Sequence, residues 1–497
     1  MADWYIEYAD VAVGADKATT ITATDVAPFS NLARVPFGAQ DEAYITLELN
    51  NWVLDGTYSP LPVESNVLGY WTDTLTDENG DFDTHPILTA TLNDLFSSTG
   101  IQLVFSDKMN DFSSSLNIKW YRDETLLADT GFEPDKSTYL CREQVESYNK
   151  VIVDFASTAK PYRRLKLAEL AYGYFLRFEP EDCLSIKILQ ELSPLATALP
   201  ESKLSFEINT RENVSFMFQE KQPVRVYLDN EIVGAFFIKS SKQTSKHRYS
   251  IEAEDAIGVL SDIPYTETMY ETATNAKTVV EGIVGNEFIV SWSAELDTET
   301  IKGLVSAKNT REAIQQICFA IGAVCHTDFS NGLIIEKLHS DTAINIPQER
   351  IYEGNSVERI AALTSLNVYA HTYTETQETG GTDVIKVGNT YYQHSTTITT
   401  INNPNIAASA KRNVFEIKEA TLVNTDNVAG IAQRVYDYLG KTSTHSLQFK
   451  RALSTERLGA YVSALTPFDV QAEGFLEYAE IQLSGIVAIQ GKYVYGS

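Results

Sequence analysis

Oxygen donors dominate the chemistry available to this chain: 67 Asp and Glu against 39 Lys and Arg, a net charge of −28 over 497 residues. The densest carboxylate run is WTDTLTDENGDFD, in which Asp73, Asp77, Asp81 and Asp83 surround the turn pair Asn79-Gly80. Calcium takes six or more oxygen ligands about a sharp turn, so the ingredients of a calcium loop are present, although without EF-hand spacing. The competing reading is a plain acidic surface turn. Cys318, Cys325 and His326 form the one Cys/His grouping, but a nucleophile–base pair or metal centre needs further positioned partners. None is recognisable, so these cysteines read as buried structural thiols. H-E-x-x-H, G-x-S-x-G, phosphate-loop and dinucleotide patterns are all missing from the sequence. Carboxylate pairs of glycosidase type carry no information in a chain this acidic. No catalytic, cofactor-binding or firm metal residue is therefore nominated, and the chain reads as a non-enzyme.

Sugar recognition is a second possible chemistry, because exposed aromatic rings stack on sugars. Trp4, Trp52, Trp71 and Trp120 all lie in the first part of the chain. The alternative is that Trp71 and Trp120 fill a β-sandwich core, where large rings contribute most by burial. Charge argues against a grip on nucleic acid: residues 1–100 hold sixteen acidic and two basic side chains, which repel phosphate. The four cysteines are too few and scattered for a disulfide framework. No apolar run is long enough to span a membrane, and MADWYIEYAD lacks the features of a secretory signal. Synthesis in a bacterial-type cytosol is expected.

The elements that would position these residues are mainly strands. Residues 1–60 read as an arm with first strands, including a turn-flanked aromatic anchor at Trp52. Residues 61–180 alternate repeatedly, as in Leu116/Ile118/Trp120, Val151/Val153/Phe155 and Leu165/Leu167, which predicts a jelly-roll-type sandwich. Glu201–Leu260 has the cleanest period of two, in Leu204/Phe206/Ile208, Val224/Val226/Leu228, Val233/Ala235/Phe237 and Tyr249/Ile251/Ala253. It predicts a β-meander within a first barrel domain at 181–263. The period changes over 264–345, an α+β module. One helix is expected to be capped by Thr274 or Asn275 and to end at Gly285, and another to run from Asn309, capped with Glu312, to Gly322. A hairpin about Asn331-Gly332 follows. Residues 346–497 read as a second barrel domain with one helix, capped by Thr425 or Asp426 and closed by Gly440. They include a polar insertion at about 372–405, either an inter-subunit contact or a surface flap. The ending from Pro467 to Tyr495 repeats the strand layout of Pro223–Ala253.

These motifs resemble the hub proteins of bacteriophage tails and related injection machines. The resemblance rests on Pro223-Val224-Arg225-Val226, on Gly234-Ala235-Phe236, and on the run from Tyr249 through Asp255 to Leu260. It extends to the helix from Ala276 to Val284, NTREAIQQICFAIGA, NGLIIEKL and Thr466-Pro467-Phe468. Upstream, NNWVLDGTY, GYWTDTLTDENGDF and KPYRRLKLAELAYG resemble a galactose-binding-like sandwich in tail proteins of phages of Gram-positive anaerobes. Together these cover the chain from roughly residue 50 to its end, and the insertion departs from the simplest hub pattern. The resemblance implies a trimer whose paired barrels close a pseudo-sixfold ring at the tail tip, with an acidic lumen for DNA. Implied partners are tail tube, distal tail, tape-measure and tip or spike proteins, in a virion assembled in the host cytoplasm. Arg225, Lys239 and Lys242 are the expected assembly contacts. A carbohydrate-binding adhesin for host surface glycan and a cell-wall-degrading tail enzyme are the other function classes.

Overall fold

The structure is a computed structural model. It describes residues 4–39, 41–49, 55–61, 67–210, 218–229, 231–285, 287–327, 332–352, 356–359, 363–406, 411–439, 443–450, 456–466, 469–484 and 486–496. The chain is mainly β and divides into two compact units. One comprises Glu7–Arg177 with Val214–Pro223; the other comprises Met1–Ile6, Phe178–Asn213 and Val224–Ser497.

The first unit contains a sandwich of two antiparallel sheets. One sheet has five strands in the order Thr19–Ala23, Ile87–Ser98, Val145–Ser157, Ser115–Arg122 and Thr125–Phe132. The other has four, in the order Thr138–Cys141, Ile101–Phe105, Lys166–Ala171 and Tyr70–Trp71. Alternation explains the core directly. Val151 sits opposite Trp120 and Val153 opposite Ile118, and all four are fully buried with Phe105, Tyr148 and Phe155. Each such side chain contributes about 1.5–3 kcal/mol by leaving water. Trp71 is buried in a separate cluster with Tyr44, Leu68 and Met109, edge-on to Phe29 at 5.5 Å between ring centroids. The aromatic anchor expected at Trp52 lies outside the described residues.

In the second unit the two expected meanders belong to one continuous sheet. Its order runs Pro223–Leu228, Glu231–Ser245, Arg248–Glu254, Lys203–Asn209, Cys183–Glu191, Gln471–Ser484, Ile486–Gly496, Ser443–Lys450 and Ser356–Arg359. The join is antiparallel pairing of Cys183–Glu191 with Gln471–Ser484, from Lys187 opposite Gln482 to Glu191 opposite Tyr478. Tyr461–Leu465 adds to Gln471–Ser484 as a side strand.

Both α+β helices form where their caps predict. Asn275 accepts the Thr278 N–H at 3.1 Å and opens Ala276–Val284, which Gly285 ends at φ +60°. Asn309 accepts the Glu312 N–H at 2.9 Å and opens Thr310–Ile321. The Glu312 carboxylate reaches back to the Lys308 N–H, and Gly322 ends the helix left-handed at φ +75°. The third helix, Val428–Leu439, differs from expectation at its start. Asn424 and Asn427 build the entry, Asn424 accepting from the Asp426 N–H at 2.9 Å and Asn427 from the Asn424 N–H at 2.8 Å. Thr425 and Asp426 are side chains carried on that turn. Gly440 lies outside the described residues.

The 372–405 stretch is anchored in a four-stranded sheet. Ser365–Thr376 pairs with Thr390–Asn402 over twelve consecutive residues, flanked by Val384–Val387 and Val414–Ile417. Leu366, Val368 and Ala370 at its base join the core that also holds Ile314, Ile317, Ile431 and Val435. The core of the two α+β helices thus continues into the third helix and this sheet.

Candidate functional site

The carboxylates of the acidic run are used by their own turn. Asp77 Oδ1 accepts the backbone N–H groups of Asn79 at 2.8 Å and Asp81 at 2.9 Å. Those bonds hold its carboxyl below the usual range, the Asp81 amide foremost. Gly80 sits at φ +88°, and an added Cβ would lie 2.6 Å from the Thr158 carbonyl oxygen. Asp73 is pulled aside, with a carboxylate oxygen 3.4 Å from Arg164 Nη1. Asp73, Asp77, Asp81 and Asp83 are therefore not brought together: among the described residues no group of three or more His, Cys, Asp or Glu could hold a metal ion. The DENGD motif ties its loop to the end of the 145–157 strand through Thr158 N–H to Gly80 O at 2.7 Å.

The cysteines are equally remote from chemistry. Cys318 and Cys325 are buried, and burial pushes the Cys318 thiol up to about 12. His326 turns away to Glu336, Nε2 to Oε1 at 3.0 Å. Trp4, Trp71 and Trp120 are all buried, so none of the three offers a ring to a sugar.

A buried ion cluster in the sandwich escaped sequence reasoning. Lys166 is 1% exposed, and its Nζ lies 2.7 Å from Glu48 Oε1 and 2.8 Å from Asp111 Oδ2. Asp111 Oδ1 is 3.4 Å from Arg163 Nε and 3.5 Å from Lys160 Nζ. Glu48 also accepts the Thr46 hydroxyl at 2.7 Å and the Arg164 N–H at 2.7 Å. Lys166 lies over the Trp71 ring, 5.2 Å from its centroid. Both carboxylates lie against at least one cation, as in a structural clamp.

The second unit holds two further arrangements. On the four-stranded sheet, the His371 and His394 rings stack with centroids 5.1 Å apart, and Tyr373 stacks on His394 at 5.0 Å. Nδ1 of His371 and Nε2 of His394 are 2.9 Å apart, one donating to the other. His371 borders a cavity of about 300 Å³ that Glu271, Glu375 and Asp426 also line.

The other arrangement is an exposed basic ribbon. In the Glu231–Ser245 strand, burial runs from Val233 to Ile238, and residues 239–245 are exposed on both faces. Pairing with the next strand nevertheless persists to Ser245 opposite Arg248. The ten residues KSSKQTSKHR from Lys239 to Arg248 carry four Lys or Arg and no acid. Of the residues expected at assembly contacts, Arg225 is half-buried and Lys242 is exposed. Lys239 is committed within the chain, bound to Glu254 and 3.9 Å from Glu201. Glu201 also holds Arg311 at 2.7 Å and Lys203 at 3.2 Å. Lys246 and Arg248 were missed; their signal was the lack of any Asp or Glu between Glu231 and Glu252.

No protein-family model matches the chain, and no curated protein matches it. Solved structures do. A tail protein from Neisseria meningitidis is 12% identical, with a TM-score of 0.47, covering 65% of this chain and 94% of its own. The chain resembles phage tail proteins. An E. coli component of the type VI secretion system, described as similar to the T4 tail proteins gp27 and gp5, is 10% identical. Its TM-score is 0.37, with 64% of this chain and 75% of that one covered. A family 32 carbohydrate-binding module of C. perfringens NanJ, solved with galactose, is 13% identical with a TM-score of 0.22. It covers 34% of this chain and 99% of its own.

Proposed function

We propose that the chain is a structural subunit of a tail tip, a hub on which the tail tube of a phage or related injection machine is seated. The observation that carries this reading is the continuous sheet of the second unit. It joins two meanders edge to edge through Cys183–Glu191 and Gln471–Ser484. A subunit with two similar β modules presents two similar surfaces, so three copies match six tube subunits and a closed ring hides strand edges. A net charge of −28 suits a lumen that lets DNA slide past without trapping it.

On this reading the chain is a homotrimer in the virion. It contacts tube, distal tail, tape-measure and tip or spike proteins, with Arg225, Lys239 and Lys242 near subunit contacts, and performs no catalysis. The five segments expected from the sequence, divided near residues 60, 180, 263 and 345, become the arm, the sandwich and the parts of the ring module. Burial of Trp71 and Trp120 counts against an adhesin built on those rings. Mass photometry of the purified full-length chain tests the proposal. A concentration-dependent trimer is expected, and a monomer throughout the micromolar range overturns it.

A further inference from the structure

We propose that the Lys239–Arg248 ribbon is a docking arm that seats on carboxylates of a second copy of this chain, with Lys242, Lys246 and Arg248 as its anchors. The inference rests on the ring reading above and goes beyond it, by naming the element that engages the neighbour and the chemistry it engages.

Three observations converge. Burial stops at Ile238 while pairing continues through Lys242 opposite Ser250 and Gln243 opposite Tyr249 to Ser245 opposite Arg248. The Arg248–Glu254 strand is itself paired on its other side with Lys203–Asn209, up to Arg248 opposite Asn209, so residues 239–245 are held in place by a wider sheet while both of their own faces stay exposed. At about 3.3 Å per residue its seven exposed strand residues present a basic strip about 23 Å long.

Charge then selects the cover. Lys242, Lys246 and Arg248 form no ion pair among the described residues, whereas Lys239 at the base is held by Glu254 and Glu201. The remaining cations project from a chain whose surplus is acidic by 28 charges, so another copy supplies complementary carboxylates on every side. Beside the anchors stand Ser240, Ser241, Gln243, Thr244 and Ser245, which hydrogen-bond without an apolar patch. The same net charge disfavours a nucleic-acid occupant, since the rest of the chain repels phosphate.

The test is the full-length triple variant K242E/K246E/R248E, with far-ultraviolet circular dichroism and the thermal midpoint as fold controls. Mass photometry across protein concentration is expected to place the variant's association midpoint at least tenfold above wild type, and wild-type association should weaken as salt rises. Carbodiimide cross-linking of mixed light and heavy isotope-labelled chains should give inter-copy lysine–carboxylate links at Lys242 or Lys246. If wild type associates and the variant matches it, the arm is wrong and the ring reading stands. A wild-type chain that stays monomeric and yields no inter-copy links overturns both. Duplex-DNA binding that the variant loses, with self-association unchanged, assigns the ribbon to nucleic acid and overturns the proposal.

Discussion

Lys166→Met is the perturbation that best probes the sandwich, because it removes one cation from between two buried carboxylates. In the wild type Lys166 Nζ is 2.7 Å from Glu48 and 2.8 Å from Asp111, with side-chain exposures of 1–2% throughout. Methionine nearly fills the lysine stem's volume, so the cavity cost is small and electrostatics decides. Breaking a buried pair by removing one partner costs about 3–5 kcal/mol. Asp111 keeps Arg163 and Lys160 at 3.4 and 3.5 Å, and Glu48 keeps the Thr46 hydroxyl and the Arg164 amide. Those survivors place the expected loss at the lower end, about 3 kcal/mol. Neutralising the acid left without a cation, in K166M/E48Q, should recover part of that loss, since an amide in the same site no longer buries charge. Guanidinium unfolding followed by tryptophan fluorescence reads both variants, with Trp120 and Trp71 reporting on the sandwich. A K166M chain within about 0.5 kcal/mol of wild type would mean that water reaches the cluster and that the clamp contributes nothing.

The acidic turn gives a paired expectation: Gly80→Ala forces a Cβ to within 2.6 Å of the Thr158 carbonyl at φ +88°, costing about 1–3 kcal/mol. Millimolar calcium should leave the thermal midpoint of the wild type unmoved; a calcium-dependent rise would reinstate the loop as a metal site. For His371, burial first and the neighbouring His394 second hold the pKa below the usual value, while the Lys418 backbone and Glu419 pull it up. Above the unfolded value of about 6.5 neither state is charged there. As pH falls below it the unfolded chain takes the proton first, so stability is lost down to the folded pKa. His371→Phe should flatten that part of the thermal midpoint's pH profile, and a profile parallel to wild type would remove His371 as its source.

Sequence periodicity reported the sandwich strands and the first two helices well, because Ile118, Trp120, Val151 and Phe155 or the caps Asn275 and Asn309 act through near neighbours. Lys166 shows where it stops. Alternation of Leu165 and Leu167 would leave Lys166 wet, yet it is buried on its own face by Glu48, Asp111 and Trp71, which lie 118, 55 and 95 positions away in the chain. His371 and His394 become a stack only through the register that sets Tyr373 opposite His394. Spacing along one strand cannot show that.

The Lys239–Arg248 ribbon is the opposite case, where composition is legible and its meaning is structural. Four cations without an acid could be an ordinary solvated loop. What changes the reading is that the backbone stays paired while residues 239–245 are exposed on both faces. The sheet itself supplies the order, since Arg248–Glu254 is also paired with Lys203–Asn209 and Ile251, opposite Ser241, is fully buried. Pairing therefore holds Lys242, Lys246 and Arg248 at fixed places on the surface, and it is their charge that says what the ribbon meets. In a chain with 67 acidic residues, the partner that answers most directly is another copy.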